Sequence, residues 1–63
     1  MKWTRIGSQE INGNTVGWQR RGNEYEVYCQ HDGGRLSITA WSMQEAQRAY
    51  VALLEQIKNN FNN

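Results

Sequence analysis

From Thr15 to Trp41 the chain alternates apolar and polar positions with a period of two, and from Met43 onward the spacing changes to three and four. Strict alternation marks a strand with one buried face, and the longer period marks a helix with one buried stripe. Two turn-forming pairs, Gly22-Asn23 and Asp32-Gly33, cut the alternating stretch. Both suit two-residue hairpin turns, in which φ > 0 is required. The pattern therefore predicts three strands, at about 15–21, 24–30 and 35–41.

These turns also predict the register. With Gly22-Asn23 as the loop, Arg21 faces Glu24, Gln19 faces Glu26, Trp18 faces Val27 and Val16 faces Cys29. With Asp32-Gly33 as the loop, Cys29 faces Leu36, Val27 faces Ile38 and Tyr25 faces Ala40. Alternation then gathers Val16, Trp18, Tyr25, Val27, Cys29, Leu36, Ile38 and Ala40 on one face. The other face, with Gln19, Arg21, Glu26, Tyr28, Arg35 and Trp41 on it, is mostly polar and suits contact with water. Tyr28 stands opposite Gly17, where its ring can cover the bare glycine backbone.

The helix begins at a capping box, Ser42-Met43-Gln44-Glu45, and spans about 43–59. Its apolar stripe is Met43, Ala46, Tyr50, Leu53, Leu54, Ile57 and Phe61. The asparagine-rich tail frays unless Phe61 docks. Residues 1–14 are open to two arrangements. Lys2–Ile6 forms a fourth strand, followed by a turn whose tip is Asn12-Gly13, or the segment makes a short hairpin of its own. The expected fold is α+β: an antiparallel β-meander of three to four strands with one C-terminal amphipathic helix packed on one face.

Width bears on what that fold leaves bare. A helix is about 10 Å across, whereas four strands span about 19 Å. One helix cannot cover a four-stranded face, and an uncovered apolar remainder marks an interface. Trp3, Trp18 or the helix flank at Val51 would supply it.

Sixty-three residues make a single domain, 1–63, with a thin core. Cys29 is the only cysteine and His31 the only histidine, so neither a disulfide nor a closed zinc site is available within the chain. Oligomerisation is the remaining staple for so short a chain, and a homodimer is expected alongside a monomer of modest margin. The lone thiol suits a reducing, cytoplasmic setting. No leader-like apolar run opens the chain, and no stretch reaches membrane-spanning length. The formal net charge is +1, without the basic excess of a dedicated nucleic-acid binder.

Catalytic chemistry has little to draw on. Cys29 and His31 lie two apart on one strand, the spacing of a nucleophile and base. A buried thiol beside a turn-flanking histidine accounts for them better. Glu24 and Glu26 share a face with Arg21 and Gln19 opposite, which is cross-strand pairing rather than a carboxylate pair for acid–base work. No glycine-rich phosphate loop occurs, and no cofactor is expected. Trp41, just before the helix cap, is placed to act as a staple on the first turn near Ala46. Otherwise it joins Tyr28 and Arg35 in an aromatic–basic cluster, and Arg20 and Arg21 form a small basic turn nearby.

The meander and helix over Glu24 to Ile57 resemble the second half of a double-stranded-RNA-binding domain. Three-stranded-sheet DNA-binding domains of integrases have a similar outline. The first family carries a lysine-rich helix start where this chain has Met43-Gln44-Glu45-Ala46, and it carries a first helix that this chain lacks. The resemblance thus implies shared architecture. The sequence favours a non-catalytic protein-interaction module acting through an exposed sheet face, with Arg20, Arg21, Tyr28, Arg35 and Trp41 as the binding residues. Accessory and inhibitory factors of phage or mobile elements are often of this size and kind. Nucleic-acid binding through the same aromatic–basic face is the alternative, since such residues stack bases and meet phosphates.

Overall fold

Three two-residue turns divide the first forty residues into four strands. A computed structural model describes residues 1–61, with side chains described through Asn59. The strands are β1 (Thr4–Ile11), β2 (Asn14–Arg21), β3 (Glu24–His31) and β4 (Gly34–Ala40), followed by the helix α1 (Met43–Phe61). All neighbours are antiparallel and the sheet order is β1-β2-β3-β4, an open meander. The docking expected of Phe61 lies outside the described side chains.

The register of the central hairpins agrees with the turn argument. Val16 stands opposite Cys29 and Trp18 opposite Val27, while Val27 stands opposite Ile38 and Tyr25 opposite Ala40. The turns reach this register by different routes. At Gly22 the backbone takes φ 63°. Asp32 and Gly33 take no positive φ, contrary to the primed turn expected there, and the positive φ falls on Gly34 instead. The Gly33 N–H donates to His31 Nδ1 at 2.9 Å, so the histidine holds this turn closed.

Residues 1–14 depart most from expectation. The strand runs to Ile11, beyond the 2–6 span, because Asn12 (φ 51°) and Gly13 (φ 82°) by themselves make a tight two-residue turn. The polar run Gly7-Ser8-Gln9-Glu10 is tolerated because β1 is an edge strand. A register shift between Arg5 and Gly7 changes the facing of everything after it. Unbroken alternation would send Glu10 toward the helix and Ile11 to water. The bulge reverses this, bringing Ile11 against the core and Gly7 beneath Trp18, where an added Cβ would sit 3.3 Å from the indole nitrogen.

The helix starts where the capping box places it. Ser42 Oγ accepts the Glu45 N–H at 3.2 Å, and Ser42 O accepts the Ala46 N–H at 3.0 Å. The helix packs on β2, β3 and β4, and its Ala46, Leu53 and Ile57 are buried against Val16, Tyr25, Val27, Cys29 and Ala40. Val16 and Val27 have no exposed surface at all. Trp18 is half-buried and stacks on Tyr50 with ring centroids 5.5 Å apart, which draws the helix over β2.

That position covers Ala40 at the end of β4 but leaves the rest of the strand partly uncovered. Leu36 and Ile38 point to the helix side of the sheet, as their register requires, yet they are 55% and 41% exposed. The alternation put both on the apolar face, where they stand, without saying that the helix would miss them. The bare apolar surface expected at Trp3, Trp18 or Val51 is thus placed chiefly on β4, with Val51 also exposed.

Burial, with a smaller repulsion from the charge of Tyr28, raises the Tyr50 phenol above its ordinary value. A phenol raised in the folded state stabilises the fold fully below its unfolded pKa and loses that contribution as pH climbs through the folded one. Stability should therefore fall above about pH 10, the unperturbed tyrosine value. Chemical denaturation of Tyr50→Phe against the parent, at neutral and at alkaline pH, should show the parent losing more. Parallel losses would refute the assignment.

Candidate interaction surface

Strand alternation sends one set of side chains away from the helix, and among the described residues no second layer lies above them, so they form an open platform. Glu26 lies at its centre. One oxygen, Oε1, accepts Arg35 Nη2 at 2.7 Å and Gln19 Nε2 at 2.7 Å. The three residues come from β4, β3 and β2, so this carboxylate ties three strands together. The Arg35 guanidinium also lies over the Tyr28 ring, 4.5 Å from its centroid. Tyr28 in turn lies flat across Gly17, as its cross-strand position suggests. An added Cβ at Gly17 would be 2.6 Å from Tyr28 Oη and 2.7 Å from Cζ. The glycine makes room for the ring, the ring supports the guanidinium, and Glu26 fixes the guanidinium from the side. Beside them opens a concavity of about 430 Å³, lined by Arg5, Thr15, Gln19, Tyr28, Gln30 and Arg35 among others.

The five residues singled out in the sequence do not form one cluster. Tyr28 and Arg35 come together. Arg21 shares their face but is engaged at the hairpin end, 2.8 Å from Glu24 and stacked over Trp3 at 4.3 Å. Arg20, its neighbour in the chain, is turned to the helix side by alternation. Its guanidinium donates to Gly22 O at 2.8 Å and lies over the Tyr25 ring at 5.7 Å. Trp41 follows the end of β4, which stops at Ala40, and it is 67% exposed. An indole so open to solvent covers only part of the first helical turn. Among the described residues, Arg35 takes Tyr28 and not Trp41 as its aromatic partner.

Gln19, Glu26 and Trp3 complete the platform and were not singled out. For Gln19 and Glu26 the signal was their cross-strand pairing, whereas Trp3 reaches the face of Arg21 only through the bulge between Arg5 and Gly7. Both glutamates considered as a carboxylate pair have an arginine partner instead.

Cys29 and His31 have separate attachments. The buried Cys29 thiol lies 3.9 Å from Asn14 Oδ1, while His31 Nδ1 is occupied by the Gly33 amide. Among the described residues, no three His, Cys, Asp or Glu side chains gather in a way that could hold a metal ion, and no helix is long and apolar enough to cross a membrane.

The chain matches no protein-family model, and comparison with curated proteins and with solved structures likewise gives no match.

Proposed function

We propose that this protein is a non-catalytic protein-interaction module whose outer sheet face docks on a partner protein. The observation that carries this reading is the braced Tyr28–Arg35 pair. Tyrosine and arginine are enriched among the residues that dominate binding energy at interfaces. A side chain already held in place loses less entropy on docking. Here the ring is seated on Gly17 and the guanidinium is held by Glu26. The platform measures about 19 Å by 26 Å, on the scale of one partner's share of a small specific interface.

Charge favours protein over nucleic acid. Arg35 and Arg21 each have a glutamate on the same face, so a phosphate would have to displace a carboxylate or bind beside one. The attachments of Cys29 and His31 support a structural role for each. In such a role the chain acts by occupying a surface of its partner, as accessory and inhibitory factors do.

The test is affinity capture from nuclease-treated extract, followed by direct binding of the captured protein to purified variants. Tyr28→Ala and Arg35→Ala should each weaken binding by about 30-fold or more, the effect of losing an interface hot spot. Glu55→Ala, on the far side of the helix, should leave binding unchanged. In parallel, tryptophan fluorescence is titrated with mixed single- and double-stranded nucleic acid. Saturable quenching at low salt that fades by about 0.2 M salt would replace this reading with nucleic-acid binding.

A further inference from the structure

We infer that two copies of this chain pair through their β4 edges, antiparallel about Ser37, into one continuous eight-stranded sheet. The inference concerns the rim of the sheet and stands apart from the outer-face reading.

The two rims differ. β1 has a bulge between Arg5 and Gly7 and carries Arg5 and Glu10, devices that discourage strand addition. β4 runs in unbroken register from Gly34 to Ala40, with Leu36 and Ile38 uncovered and Arg35 as its one charge. A smooth rim with exposed apolar side chains is a template for another strand.

Its unpaired groups can be identified. In an antiparallel ladder the residues flanking a two-residue turn exchange hydrogen bonds, and the pattern alternates from there. His31 and Gly34 flank the Asp32-Gly33 turn. Leu36, Ile38 and Ala40 therefore bond to β3, while the backbone N–H and C=O groups of Arg35, Ser37 and Thr39 point outward.

This rim is complementary to itself. With a two-fold axis at Ser37, Ser37 meets Ser37 of the second copy, and Arg35 meets Thr39 of the second copy. Outward-pointing groups then face outward-pointing groups along the whole strand. Leu36 meets Ile38 of the second copy on the helix side, in the closer, non-hydrogen-bonded type of pair. Four uncovered apolar side chains become one cluster. The two Arg35 side chains stay about 14 Å apart along the strands, beyond the roughly 8 Å over which charges are felt at physiological salt, and each retains its own Glu26. A shift by one residue would set the outward-pointing groups of one strand against residues whose groups already bond to β3, and a shift by two would leave residues unpaired at both ends. A second copy also meets the need of a short chain for more buried surface.

Sedimentation equilibrium and site-specific cross-linking test this. The wild type should reach twice the 7.4 kDa mass of one chain as concentration rises. Leu36→Lys should weaken the dimer by at least about tenfold, since an inward charge on an edge strand opposes pairing. On mild oxidation Ser37→Cys should cross-link to its own copy, because residues paired across the axis lie about 5.5 Å apart, within disulfide reach. Thr39→Cys, displaced along the strand from its own copy, should not. The wild type reports any background from the buried Cys29, and near-ultraviolet circular dichroism checks that each variant is folded. A chain that stays monomeric at every concentration would overturn the inference. So would a dimer indifferent to Leu36→Lys, or equal cross-linking at 37 and 39.

Discussion

Val27→Ala should lower the melting temperature by about 10–20 °C, at 4–8 °C per kcal/mol for a domain of this size. Val27 is at the centre of the sheet, between Trp18 and Ile38 in register, and has no exposed surface. Truncation removes about two methylene equivalents of burial, roughly 1.6 kcal/mol. The neighbours are a sheet and a helix that cannot close in fully, so a cavity term adds about 1 kcal/mol. A domain this small has only about 3–5 kcal/mol in all. Val51→Ala deletes the same atoms from a position that is 46% exposed on the helix. It should change the melting temperature little, because alanine's better helix propensity offsets the lost contact. Far-ultraviolet circular dichroism melts of both variants make the comparison. Equal losses would mean that the helix does not lie over β2 and β3.

The second large effect is a reversal of sign. Gly17→Ala should destabilise the protein by about 1–3 kcal/mol, the range for forcing atoms into a filled space. The methyl would occupy the place of the Tyr28 ring, which must then leave the glycine and the guanidinium it supports. With Tyr28→Ala already in place, the same substitution should stabilise by about 0.5–1 kcal/mol, because alanine is the better residue inside a strand. A double-mutant cycle in urea isolates the coupling. Additive changes would show that the ring does not rest on Gly17. Gly17→Ala should also weaken partner binding, although residue 17 offers a partner only backbone, because it unseats Tyr28 and Arg35.

The central hairpins were legible because a two-residue turn leaves no freedom in register. Once Gly22-Asn23 and Asp32-Gly33 were recognised, the pairing of Gln19 with Glu26 and of Tyr28 with Gly17 followed. The helix start was equally local, set by Ser42 and Glu45. What escaped was non-local. The β1 bulge cannot be seen in the alternation of residues 4–11 by itself. It emerges only when Ile11 has a core to reach and Gly7 has Trp18 above it. Alternation placed Leu36 and Ile38 on the correct face, but whether a face is covered depends on where the helix settles. Tyr50 stacking on Trp18 decides that. Arg20 and Arg21 read as one basic turn in the sequence and divide between two faces in the sheet. Trp41 belonged to β4 by alternation, yet the strand ends one residue earlier as the chain turns toward the helix cap.

The difference between the two rims has a consequence for stoichiometry. A sheet with two adhesive borders adds subunits at both and grows into a filament without a defined end. Here the bulge in β1 withdraws one border, so an assembly built on β4 would have used its one smooth sheet edge once the second subunit arrives. An irregularity on the far side of the molecule would thus act as a chain terminator, keeping a sticky seven-residue strand compatible with a finite, soluble particle.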